Sequence, residues 1–147
     1  MSLIHTLHRA NQIAHNAYHS RADKGAPTVR QVAVLQCLKW FEGIPSQTQM
    51  VGYTGIDRST LADMVRRMMR AGFLTRRRTR EDARAYAVSM TEHAEVTLKA
   101  ANQHLLKAEA DVLACLSQTE RVKLATLLNK IVEAGDRMQS AKVKLTR

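Results

Sequence analysis

"TGIDRSTLADMVRRMMRAGF", residues 54–73, sets four arginines (Arg58, Arg66, Arg67 and Arg70) among mostly apolar neighbours. At 100° per residue, Leu61, Met64, Val65, Met68 and Met69 gather on one side of a helix. Ser59, Thr60, Asp63, Arg66, Arg67 and Arg70 gather on the opposite side, with Arg58 at the boundary. Asp57 suits the N-cap, because a short carboxylate accepts the first free backbone N–H groups of a helix. The methionines of the inner side are core packing rather than a cofactor box. The charged side has two readings: a solvated face that keeps a core helix soluble, the usual fate of charge runs, or a face presented to a polyanion.

The flanking sequence decides between them. Upstream, Ser46 opens a short helix, "SQTQMVGY", which Gly52 weakens, and the turn "TGI" separates it from the arginine helix. Helix, tight glycine-containing turn, helix is the helix-turn-helix plan. Downstream, "FLTRRR" and "AYAVSM" are short strand-like segments around the polar "TREDAR", which predicts a hairpin with a solvent-facing tip. Between residues 58 and 84 stand nine arginines and no lysine, against the three acids Asp63, Glu81 and Asp82. The planar guanidinium matches phosphate forks, guanine edges and narrow minor grooves better than an ammonium does. A helix-turn-helix followed by a basic hairpin is a winged helix, and Ser59 and Thr60 are short enough to meet phosphates and base edges near the helix start.

The rest of the chain is helical. Residues 3–22 predict one helix with Leu3, Leu7, Ala10, Ala14 and Ala17 along one side, stopped at "DKGAP". Thr28 starts a second helix through about Phe41, carrying Val34, Leu35, Leu38 and Phe41. Thr91 caps a long helix to about Leu116, with a heptad seam of Leu98, Ala101, Leu105, Ala108, Val112 and Cys115. Ser117 and Glu120 fit a capping box for a last helix with Leu124, Leu127, Leu128, Ile131 and Val132 inside. A lone helical hairpin cannot bury both apolar faces, so the first and last helices are expected to pack together or against a second subunit.

The chain of 147 residues suits one domain with a helical extension, and 45% hydrophobic with 24% charged residues is a globular composition. The formal net charge of +10 points to an acidic partner. No stretch is long and apolar enough to span a bilayer, and "MSLIHTLHR" lacks the apolar run of a signal peptide, so a cytoplasmic location without membrane association is expected. Cys37 and Cys115 are expected to be buried, inert thiols on helical faces. His5, His8, His15 and His19 fall within about 80° of one another on the first helix. His15 and His19 have an i, i+4 spacing that can bind a metal, but no carboxylate or cysteine stands beside them, and an amphipathic helix whose polar side uses histidine is the preferred reading. No metal or cofactor is called for. No nucleophile elbow, phosphate loop, paired carboxylates or Cys–His constellation is present, so catalysis is not expected.

"SQTQMVGYTGIDRSTLADMVRRMMRAGFLTRRRTREDARAYAVSMTEHA", residues 46–94, resembles the winged-helix core of the MarR family of bacterial transcription regulators. The likeness lies in "DRST" at the start of the recognition helix, the closing "GF", Asp82-Ala83-Arg84 at the family's D-x-R wing motif and "MTEHA" at its entry to the long dimer helix. "LSQTERVKLATLL" fits the last hairpin, so the resemblance covers essentially the whole chain. Met50-Val51 in place of Leu-Ala, Gly52, and Ala94 in place of glycine depart from the pattern, away from the DNA-facing side.

The resemblance implies a mainly α fold with a small β-hairpin wing, a winged helix-turn-helix core plus a helical dimerisation region. Residues 28–91 would be the DNA-binding region, and residues 1–27 and 92–147 the dimerisation region, of a single MarR-like chain of residues 1–147. The implied function is that of a repressor binding a pseudo-palindromic operator in double-stranded DNA as a homodimer. Ser59, Thr60, Asp63, Arg66 and Arg67 would enter the major groove, joined on the DNA-facing side by Arg58 and Arg70. Gln47 and Thr48 would lie near the backbone, and Arg78, Arg80 and Arg84 would reach phosphate or minor groove, with Asp82 orienting Arg84. A small-molecule effector that releases DNA would bind between the first, second and fifth helices, where Tyr18, His19, Trp40 and His104 are the candidate contacts. Two other classes compete: an architectural DNA-binding protein with low sequence specificity, and a basic helical dimer that binds RNA or another protein.

Overall fold

The computed structural model describes residues 1–41, 45–78 and 86–145, with side chains described for all of these except residues 77, 78, 86 and 139–145. The elements run α1 (Leu3–His19), α2 (Val29–Trp40), α3 (Gln47–Thr54), α4 (Arg58–Arg70), β1 (Leu74–Arg78), β2 (Tyr86–Met90), α5 (Glu92–Val112) and α6 (Gln118–Leu145). Two compact units are present, Met1–Glu109 and Ala110–Arg147.

Helix starts follow capping chemistry. Thr28 and Ser46 each form a full capping box, with Gln31 and Gln49 reaching back to the cap N–H. Such caps satisfy N–H groups that have no intrahelical partner. The turn from α3 into α4 depends on Gly55, whose φ of +66° lies in the left-handed region, and its N–H donates to the Val51 carbonyl. α4 ends in a Schellman arrangement: Gly72 at φ +78° donates to Met69 O, and Phe73 N–H donates to Met68 O at 3.0 Å.

The core of the first unit is aliphatic and methionine-rich. Val32, Val34, Leu35, Cys37 and Leu38 of α2 pack with Met50, Ile56, Leu61, Met64, Met68, Phe73, Leu74 and Leu98, all nearly or fully buried. β1 and β2 pair antiparallel in the register Leu74↔Met90, Arg76↔Val88 and Arg78↔Tyr86. The base of this hairpin is locked to the end of α4 by Thr91. Its N–H donates to Phe73 O at 3.0 Å, its hydroxyl donates to Gly72 O at 2.7 Å, and its Oγ1 accepts from Ala94 N–H at the start of α5. One residue thus sets the wing relative to the recognition helix and caps the long helix.

Several boundaries and burials differ from the sequence expectations. α1 stops at His19 rather than 22, because the Arg21 and Ala22 N–H groups both turn back onto Tyr18 O. α5 stops at Val112 rather than near Leu116, where i→i+3 bonds (Ala114 to Asp111, Leu116 to Leu113) replace helical ones. That early stop takes Cys115 off the heptad seam. It is exposed rather than buried, whereas Cys37 is buried as expected and burial raises its thiol pKa. The Ser117–Glu120 capping box is present, with Ser117 N–H donating to Glu120 at 2.8 Å. Of the residues expected inside α6, Leu124 is half-buried, but Leu127, Leu128, Ile131 and Val132 are exposed in the single chain.

Candidate nucleic-acid interface

The site is built on α4. Asp57 Oδ1 accepts from the Thr60 N–H at 2.9 Å and from the Ser59 hydroxyl at 2.8 Å. The Thr60 side-chain and backbone hydrogen bonds, followed by that of Ser59, lower the Asp57 carboxyl from 3.8 to about 2, so the cap is ionised at neutral pH. Leu61, Met64 and Met68 are the buried face of the helix. The opposite face carries Ser59, Arg66, Arg67 and Arg70 exposed, with Thr60 and Asp63 at intermediate burial. Arg67 and Arg70 in the last turn also suit the negative end of the helix dipole. The sorting expected of the arginine helix is therefore present in the fold.

α3 lies beside it. Gln47 and Thr48 are exposed in its first turn, and Arg58 Nη2 reaches Thr48 Oγ1 at 3.5 Å, a long hydrogen bond joining the two helices of the motif. Asp63 is paired twice: its Oδ1 lies 3.3 Å from Arg66 Nη2 and its Oδ2 lies 3.1 Å from Arg67 Nε. Arg78 is the last residue of β1, and its side chain lies outside the described residues, as do Arg80, Asp82 and Arg84.

A cleft of about 570 Å³ runs between α3, α4 and the wing strands, lined among others by Gln47, Met50, Ala62, Arg66, Arg76 and Val88. Arg76 had no place among the sequence candidates. Period-two alternation puts residues 74 and 76 on the same side of β1, so the buried Leu74 was the signal that Arg76 points toward α4 rather than away from it.

The candidate effector residues stand in different settings. Tyr18 is buried and its hydroxyl donates to Pro27 O at 2.8 Å, a bond that fixes the α1–α2 connection, and burial raises its pKa. Trp40 is 73% exposed at the end of α2. His19 is exposed and contacts the rings of His15 and Tyr18. His104 lines a second, smaller cleft of about 270 Å³, with residues 23–27, Phe73, His93 and Thr97. There its Nε2 lies 3.7 Å from Asp23, and the His93 ring stacks on Phe73 at 5.3 Å. Among the described residues no group of three or more His, Cys, Asp or Glu side chains could hold a metal, and no helix is long and apolar enough to cross a membrane.

A helix-turn-helix closed by a two-stranded hairpin, with cations sorted onto the second helix, defines a winged helix-turn-helix protein. Residues 28–86 match the model of the MarR family. It is 26% identical over 134 residues to the HTH-type transcriptional regulator PecS of Dickeya dadantii, across 89% of this chain and 80% of the relative. Among solved structures, the PcaV transcriptional regulator of Streptomyces coelicolor, in complex with its natural ligand, superposes with a TM-score of 0.80 at 24% identity, covering 92% of this chain and 94% of that one. A MarR variant from E. coli complexed with operator DNA superposes with a TM-score of 0.77 at 19% identity, covering 88% and 92%. At these identities the two structures establish a shared fold.

Proposed function

We propose that this protein is a repressor that binds a pseudo-palindromic operator as a homodimer, with α4 in the major groove and the wing at the adjacent backbone or minor groove. The observation that carries the reading is the division of α4 into a buried face of Leu61, Met64 and Met68 and a polar face with Ser59, Arg66, Arg67 and Arg70 exposed and Thr60 and Asp63 half-buried. Reading base edges needs polar side chains on a helix that fits the groove, and that is what this face offers. On this reading Ser59, Thr60, Arg66 and Arg67 meet base edges and phosphates, Arg58, Gln47 and Thr48 meet the backbone, and Arg76, Arg78, Arg80 and Arg84 extend the contact along the wing. Residues 28–91 form the DNA-reading part.

Residues 1–27 and 92–147 form the dimerisation part. The exposed apolar side chains of α1 (Leu3, Ile4, Ile13) and α6 (Leu127, Ile131, Val132) support it, since patches of this kind mark association surfaces. An effector is the third element: the homologous fold of PcaV holds a natural ligand, and the His104 cleft between the α1–α2 connection and α5 offers space for a small molecule in this chain.

Footprinting on the DNA upstream of the protein's own gene, followed by titration of operator and scrambled duplexes, tests the reading. A specific regulator binds its site roughly 10³- to 10⁷-fold more tightly than random DNA. Equal affinity for both would instead identify an architectural DNA-binding protein. Arg67→Ala is expected to cost about 1–3 kcal/mol on the operator and to relax base preference. Arg76→Ala is expected to weaken both duplexes alike and to reduce the salt slope by about one unit.

A further inference from the structure

Asp63 is an anomaly on the α4 face. A carboxylate there repels phosphate, yet it sits centrally among the arginines, half-exposed at 50%, with one arginine on each oxygen. Ion pairs of this kind on an exposed helix contribute little to stability. Their effect is on geometry and charge. Arg67 pairs with Asp63 through Nε at 3.1 Å, and Arg66 donates a hydrogen bond to it from Nη2 at 3.3 Å. A guanidinium carries five N–H donors, so each arginine, while paired, keeps a two-donor edge for the O6/N7 edge of guanine.

We propose that Asp63 is a specificity-determining positioning residue, which pre-orients Arg66 and Arg67 as the base-reading arginines and lowers attraction to arbitrary DNA. The inference rests on the operator-binding reading above. Both halves follow from the same two ion pairs. Non-specific affinity depends on how many cations displace counterions from phosphates, and Asp63 cancels one of two. Specific affinity depends on presenting a planar fork at a fixed angle, and a guanidinium already held in place loses less freedom on docking. The carboxylate thus lowers the background and raises the signal without itself touching a base.

The test selects a preferred duplex from a random pool with the wild-type protein, then measures binding to that duplex and to a scrambled one across a salt series. Asp63→Ala should bind the scrambled duplex more tightly, with a salt slope steeper by up to about one unit. Its preference for the selected duplex should fall by about tenfold, within what one bidentate base contact supplies. Arg67→Lys should lose a similar preference, and the double variant little more, because the two residues act as one device. Arg66→Lys should lose preference in the same way. Asp63→Asn, which keeps the shape and removes the charge, repeats the measurement should alanine shift the melting temperature.

Weaker binding of Asp63→Ala to both duplexes, or additive losses in the double variant, would overturn the proposal. So would loss of preference for cytosine at one position with guanine preference intact, because that marks Asp63 as a direct reader of the cytosine amino group. A wild-type protein that selects no sequence removes the operator reading and this inference with it. A wild-type selection left unchanged in Asp63→Ala removes this inference alone.

Discussion

α4 and α6 are both helices with an apolar side and a basic surplus, and they end in opposite situations. In α4 the apolar side is satisfied within the chain: Leu61 is 1% exposed and Met68 fully buried. In α6 the corresponding side is uncovered, with Leu127 at 50%, Ile131 at 56% and Val132 at 59% exposure. The difference separates two kinds of surface. The exposed side of α4 is polar and charged, fit for water or a polyanion, whereas the exposed side of α6 is apolar and gains from leaving water.

The comparison can be broken at its strongest point in α6. Ile131→Lys together with Leu128→Lys is expected to yield a monomer in sedimentation at micromolar concentration, with the α-helical circular dichroism of the winged-helix region retained. Operator affinity should fall by roughly 10²- to 10⁴-fold, as expected when two linked half-site contacts become independent. A dimer that survives both lysines would show that the α6 face is not the association surface.

The counterpart in α4 is Met68→Ala. Met68 is fully buried, so removing its side chain should destabilise the fold by about 2–5 kcal/mol, read as a lower midpoint in urea. Loss of DNA binding with no change in that midpoint would contradict the assignment of this side to the core.

The smallest effect concerns how α4 begins. Asp57 has a folded-state pKa of about 2, below its ordinary 3.8, held there chiefly by Thr60 and then Ser59. A depressed carboxyl pKa adds stability that is present above the ordinary value and lost as pH falls through the folded one. The melting-temperature gap between wild type and Asp57→Ala should therefore hold above about pH 4 and narrow toward pH 2. A gap independent of pH would assign the cap's effect to shape rather than charge.

The winged helix was legible because its signals are local. Asp57, Gly55, Gly72 and the Gln31 and Gln49 capping boxes fix where α2, α3 and α4 start and stop, and each depends on residues within a few positions. The α4 wheel was equally legible, since one helix sorts its own residues. Cys115 was misplaced because extending the heptad assumes the helix continues, and the turn at residues 113–116 ended it first. The settings of the effector candidates were hidden for a different reason. Tyr18, Trp40 and His104 were grouped by chemical type on three helices, and only the packing of those helices decides that Tyr18 is committed to Pro27 while Trp40 faces solvent. Arg76 was missed because its neighbours across the cleft, Gln47 and Ala62, are distant in sequence.

The sequence by itself determined the helical order, the turn-helix-hairpin plan and the sorting of α4, because capping, glycine conformation and helical periodicity act over short distances. Tertiary structure alone decided that Thr91 ties the wing to the end of α4, that Arg76 shares a cleft with Arg66, and which apolar sides the chain can cover. Each depends on surfaces brought together from far along the chain, where the physical cause is burial and packing rather than the preference of any one residue.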